Sequence, residues 1–296
     1  MTNTIKPDTS AKDEASVCNI YDETEQQENH EEANVTLLTA KIALNKSYYL
    51  ENGALKKENK GNAKYFSSQT GRFMSIHDIW GTLKNICKDP EKAIIRGISD
   101  PETRQDTRRT KEIFKESQKG ACWAMFDIDN LGIGKKSPIT PKSVEYVIQN
   151  HLPKEFHDVT YVYQFSNSAG FHEYKNGKKG MNVHLYFYFD RDVLNDELKK
   201  WLKKYPVDKS LFCPIQIHYT ALPDIKGLKC KVKKRQALVK KENDTVKVPV
   251  IELGPINPVT KRYKKETGKQ PTWNTKTKGV CMRIVITIVV KKASSS

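Results

Sequence analysis

Apolar and polar positions alternate between two periods along this chain. Val35-Thr-Leu-Leu-Thr-Ala is β-branched and reads as a strand, and Ser47-Tyr-Tyr-Leu-Glu-Asn-Gly reads as a second strand running into a turn. From Ser75, apolar residues recur at 76, 79, 80, 83 and 86, the spacing of one helix face behind a capping serine. Ala93-Ile-Ile-Arg is a short strand, and the charged stretch Arg104–Lys119 is expected to be helical. Ala121–Ile128 is a continuous apolar run, a buried strand. A helix is expected over Pro141–Leu152, with Val144, Val147 and Ile148 on one side. An alternating strand follows at Val159–Phe165, then a polar loop over Ser166–Gly180 and a strand over Asn182–Phe189. Asn195–Tyr205 carries leucines at 198 and 202 and is expected to be helical, and Cys213–Tyr219 is expected to be a strand. This order of strands and helices is that of an α/β or α+β protein.

Charge divides the chain. The net value is +16, yet residues 1–34 hold nine acids against Lys6 and Lys12, which leaves +23 on residues 35–296. The acidic N-terminus has no apolar periodicity and is expected to be a disordered tail. The basic remainder points to a polyanionic partner, most simply nucleic acid. From Lys229 to Lys241 seven of thirteen residues are basic, and Asn257–Thr275 is rich in Pro, Thr and Lys. Residues 229–296 are therefore expected to be a basic, poorly ordered extension. Arg283–Lys292 is strand-like, and the abrupt Trp273–Ser296 end reads as a truncated or frame-shifted terminus. No apolar run approaches a membrane span, and the N-terminus lacks a signal-peptide core, so no membrane partner and a cytoplasmic location are expected. Six scattered cysteines form neither a zinc motif nor a disulfide pattern. No P-loop is present.

The chemistry concentrates in four stretches. Asp127 and Asp129 end the apolar run of Ala121-Cys-Trp-Ala-Met-Phe. Residues i and i+2 of a strand face one side, and two carboxylates so placed repel unless a cation lies between them. Hard oxygen ligands suit Mg²⁺ or Mn²⁺. His184 lies in Lys178–Asp190 (KKGMNVHLYFYFD), on a face shared with Asn182, Tyr186 and Tyr188, downstream of Lys179. A lone strand histidine is more often a core residue, but lysines and backbone amides upstream of it suit phosphate. Ser166 and Ser168 lie in a small-residue loop through which backbone can approach a ligand. Tyr205–Gly227 offers Asp208 or Asp224 as a third carboxylate, and His218 and Lys226 as phosphate contacts.

Taken in order, a hydrophobic-Asp-x-Asp strand, a strand histidine preceded by a small residue and a later aspartate resemble the archaeo-eukaryotic primase superfamily, most closely the primase–polymerase domains of phages and plasmids. VTLLTA, LENGALKK, HLPKEFHDVTYVYQFSNSAG and VDKSLFCPIQIHYTALPD carry the likeness, over about residues 35–225. The resemblance implies an α/β (α+β) core, residues 35–228, with an RRM-like mixed sheet flanked by helices. It implies Asp127 and Asp129 as metal ligands, His184 on the incoming nucleotide's phosphates and a third ligand for which Asp208 fits better than Asp224. The catalytic set is then Asp127, Asp129, His184 and Asp208, with Ser166, Ser168, Lys179, His184 and His218 on the nucleotide. The implied partners are Mg²⁺ or Mn²⁺, single-stranded DNA, ribo- or deoxynucleoside triphosphates and a helicase that is separate or missing. Asn182 stands where the family often has a small serine-like residue. The rival readings are a DNA-binding replication accessory without activity and a diguanylate cyclase. The latter lacks its Gly-Gly-acid-acid-Phe hairpin here, and a relaxase would need a histidine pair that His218-Tyr219-Thr220 does not supply.

Overall fold

Asn52 and Gly53 both adopt positive φ (52° and 78°), the two-residue turn that lets β2 (Lys46–Glu51) fold back on β3 (Ala54–Asn59). The computed structural model describes residues 33–59, 61–99, 105–171 and 180–253. Before this hairpin comes β1 (Val35–Thr39), and after it β4 (Tyr65–Gly71), α1 (Ile76–Ile86), β5 (Lys92–Ile95), β6 (Ile98–Ser99), β7 (Thr107–Arg108) and β8 (Phe114–Lys115). The chain continues through β9 (Ala121–Gly132), α2 (Pro141–His151), β10 (Tyr161–Phe165), β11 (Gly180–Val193), α3 (Asn195–Trp201), β12 (His218–Tyr219), β13 (Asp224–Lys226) and β14 (Gln236–Val239). The protein is a mixed α+β fold.

The central sheet has the order β14-β10-β11-β9, and a second sheet has the order β12-β5-β1-β4-β7. β13-β2-β3 and β6-β8 form smaller sheets. Every pairing in the central sheet is antiparallel, where a mixed sheet was expected; the parallel ladder is β13 on β2. Helix α1 starts where Ser75 accepts a hydrogen bond from the Asp78 amide, and Asp78 accepts one from the Met74 amide. It lays Ile76, Ile79, Leu83 and Ile86 on one face of the central sheet, against Trp123, Met125, Val162 and Tyr186. Helix α2, capped by Thr140 with Pro141 in its first turn, covers the other face with Val144, Val147 and Ile148. That face also holds Phe126, which meets Phe156, Phe187 and Phe212 at ring separations of 5.1, 5.4 and 6.0 Å. With both faces covered, all of β10 is buried rather than alternating as expected.

Three further expectations are corrected. Residues 105–119 form no helix; they run through turns and the two short strands β7 and β8. The stretch has no recurring apolar stripe for a helix to bury, and its one large buried side chain, Phe114, fills the core beneath β1, β4 and β5. Cys213–Tyr219 is a strand only at β12, because Pro214 turns its carbonyl to the Gly97 amide and Gln216 closes a turn on Cys213. The ordered body does not stop at 228, since β14 pairs with β10 inside the stretch expected to be poorly ordered. Its Leu238 and Ala237 supply apolar surface to the two faces of the sheet, which a solvated basic run would not. The acidic tail over 1–32, and residues 254–296 with their strand-like Arg283–Lys292, lie outside the described residues. Among the described residues no helix is long and apolar enough to cross a membrane.

Phe126→Ala removes the ring on which three others converge and is expected to cost about 3–5 kcal/mol of stability, read from the urea midpoint.

Candidate functional site

The site follows from strand parity. In β9 Ile128 points into the α2-side core, so Asp127 and Asp129 share the opposite face and both line one cleft. β11 pairs with β9 so that His184 lies directly opposite Asp127, with His184 Nε2 3.5 Å from Asp127 Oδ1. In register with them lie Gln164 on β10 and Gln236 on β14, a polar row crossing the sheet next to the apolar surface that packs on α1. The Asp127 side chain is 20% exposed and that of His184 12%. Asp127 Oδ1 is buried without a hydrogen-bond partner. Burial is the main cause that raises the Asp127 carboxyl above its ordinary pKa; His184 opposes it, Asp129 and Asp208 add to it, and Lys46 opposes it.

A bulge aims the end of β9. Register slips between Met181 and Val183, Asn182 accepts a hydrogen bond from the Asn130 amide at 2.9 Å, and Asn130 takes a positive φ of 52°. A Cβ on Gly180 would lie 2.7 Å from Asn130 Cα, so only glycine lets the strands approach here. Asn182, the departure from the family pattern, thus holds the backbone beside Asp129.

The cleft has a volume of about 670 Å³, within the range of small-molecule sites. Ser166 and Ser168 line it, with their hydroxyls 2.9 Å apart. Their loop is held by Arg235, which donates to the carbonyls of Ser166 and Ala169. Arg235 therefore serves the interior of the basic run as a structural anchor. The cleft is also lined by residues that nothing in the sequence marked out: Lys46, Lys57 and Asn59 of the β2–β3 hairpin, with Asn45, Asn62 and Tyr219. Burial, then Lys57, pulls the Lys46 ammonium below its ordinary pKa, while Asp129 and Asp127 raise it. The Asn-Gly turn signalled this hairpin and its register; nothing in the sequence signalled that it folds over the end of β9.

Among the described residues, Asp208, Asp224 and His218 are not brought into this cleft. The Asp208 amide donates to the Asp127 carbonyl at 2.9 Å, but its carboxylate accepts from the Ser210 amide and hydroxyl and caps the turn Lys209–Leu211. Asp224 accepts from the Ser47 hydroxyl, one strand away. Of the two, Asp208 is the one whose charge reaches Asp127. His218 is fully buried beside Trp123, its ring centroid 5.6 Å away; burial, aided by Arg96 and His184, lowers its pKa to about 3, so it is neutral. Its neighbour Tyr219 faces the cleft instead. Lys179 lies outside the described residues. Among the described residues no three His, Cys, Asp or Glu side chains form a ready metal-ligand group. Asp127 Oδ1, which accepts no hydrogen bond and lies 3.5 Å from His184 Nε2, and the Asp129 carboxylate are the described groups that could hold one hard divalent cation here. Comparison with family models, curated proteins and solved structures gives no match.

Because its pKa is raised in the folded state, Asp127 binds its proton more tightly there than in the unfolded chain. Its contribution to stability therefore falls as pH rises from the unfolded value near 4 through the folded one. Without divalent cations, Asp127→Asn is expected to raise the thermal midpoint at pH 7, and the gain should fade as pH falls below about 4. A variant no more stable than the parent at pH 7 would contradict this account.

Proposed function

We propose that this cleft performs metal-dependent nucleotidyl transfer, and that the protein is a primase or primase–polymerase of phage or plasmid type working on single-stranded DNA. The observation that carries the reading is the arrangement of charge: two same-facing carboxylates, one with a buried oxygen that accepts no hydrogen bond and lies beside His184, in a cleft also lined by Lys46 and Lys57. The net charge of +16 favours a polyanionic partner.

In this reading Asp127 and Asp129 hold Mg²⁺ or Mn²⁺, which when bound lowers the pKa of an attacking hydroxyl and offsets charge on the transferred phosphate. A 3′-hydroxyl would attack the α-phosphorus of a ribo- or deoxynucleoside triphosphate and give its proton to solvent, while the bond from that phosphorus to the α–β bridging oxygen breaks and pyrophosphate leaves. His184 and Lys46 steady the triphosphate, and the Ser166 and Ser168 hydroxyls add hydrogen bonds. Asp208 acts through the Asp127 backbone, and becomes a ligand only if its carboxylate leaves Ser210. His218, buried and neutral beside Trp123, is left out of the nucleotide contacts. Duplex unwinding falls to a helicase elsewhere.

The test is a primer-synthesis assay with single-stranded DNA, labelled nucleotides and Mg²⁺ or Mn²⁺. Asp127→Ala/Asp129→Ala is expected to lower synthesis by about 100-fold or more, with DNA affinity within about twofold of the parent. Undiminished synthesis would exclude these carboxylates. Mn²⁺ alone is also expected to raise the thermal midpoint of the parent but not of the double variant.

A further inference from the structure

The hairpin that supplies the cationic wall continues past the cleft, and its two faces differ in chemistry. The register pairs Lys46 with Asn59, Tyr48 with Lys57 and Leu50 with Leu55, which puts these six on one face. The other face carries Ser47 with Glu58, Tyr49 with Lys56 and Glu51 with Ala54. Both acids of the hairpin therefore lie on the second face, where Glu51 also pairs with Lys56 at 3.4 Å. The first face has no acid. At its root Lys46 and Asn59, and midway along it Lys57, line the cleft; at its tip Leu50 and Leu55 are 50% and 41% exposed, an apolar cross-strand pair held in water. Between them Tyr48 is buried, its ring stacked 4.4 Å from Phe171, which fastens the root to the loop after β10. β3 has β2 as its ladder partner and is exposed along its whole length.

From these features we infer that the acid-free face of the β2–β3 hairpin is a track for one strand of nucleic acid passing between the cleft and solvent. The inference rests on the nucleotidyl-transfer reading of the cleft. Lys46 at the root and Lys57 midway match phosphates, and a leucine pair at the tip matches the apolar face of an unstacked base. Lys46 and Leu50 are four residues apart, about 13 Å of strand, so the face extends beyond a nucleotide seated at the carboxylates. A duplex hides its base faces in the stack and offers nothing to the leucines. The track is therefore selective for single strands.

The test is fluorescence anisotropy of a labelled oligothymidylate, and of a blunt duplex of equal length, over a range of KCl. Lys56→Gln and Lys57→Gln remove the same charge from opposite faces. Lys57→Gln is expected to weaken single-strand binding several-fold and to flatten the salt dependence by about 0.7 in log–log slope, while Lys56→Gln leaves both near the parent values. Leu50→Ser/Leu55→Ser, an exposed change that leaves the core intact, is expected to weaken single-strand binding about fivefold at unchanged salt slope, with no loss on the duplex. Equal effects of the two lysine variants, or a serine variant that binds as the parent does, would overturn the track. Nucleotide incorporation by the parent chain reads the cleft separately. Face-dependent binding without incorporation keeps the track and removes the activity, whereas incorporation with face-independent binding does the reverse.

Discussion

The antiparallel register of β9 on β11 is the constraint on which the site depends. It sets Asp127 opposite His184, Met125 opposite Tyr186 and Trp123 opposite Tyr188, so the acidic end of β9 meets the stretch of β11 that carries Asn182 and His184. A slip of one residue would turn Asp127 into the aromatic core around Phe126 and Phe187 and put Ile128 into the cleft. That core makes such a slip costly. It also fixes the register that brings an acid, an imidazole and the serine loop of β10 to one side of the sheet.

Burying Asp127 opposes folding. A desolvated carboxylate whose buried oxygen accepts no hydrogen bond is tolerated because His184 Nε2 lies 3.5 Å from it and the sheet around it is already determined by apolar packing on both faces. The interior is expensive elsewhere too. Arg96 is buried, donates to the Val193 carbonyl and the Asn195 side chain, and lies 5.8 Å from the Trp123 ring. Burial is the main cause that lowers its pKa to about 10, which leaves it charged, and it ties the second sheet to the end of β11. The two bonds and the ring contact offset part of its desolvation.

The walls of the cleft come from segments far apart in sequence, joined by one stack. Arg235, next to β14, lies over Phe171, and Phe171 stacks on Tyr48 of β2. The same arginine holds the carbonyls of the loop that carries Ser166 and Ser168. One side chain from the basic run thus links the serine loop to the lysine hairpin, and the run contributes to the site through geometry as well as charge.

Local pattern alone determined a good deal. The Ala121–Ile128 strand, the capped helix at Ser75, the helix over Pro141–His151, the Asn-Gly turn and the shared face of Asp127 and Asp129 all follow from periodicities of 3.6 and 2 and from capping chemistry, which act within a few residues. Placing Asp127 against His184, and the serine loop beside them, followed only from the strand pairing. Residues 105–119 were charged enough to look helical, yet had no stripe to bury and were taken up by sheet edges. β12 is too short for its sequence to show which of His218 and Tyr219 faces inward, and the packing of β5 against Trp123 decided it. Lys46, Lys57 and Arg235 resembled ordinary surface charge, because a lysine acquires a role from what faces it. What faces it is set by contacts between residues more than sixty positions apart, and these belong to the tertiary structure alone.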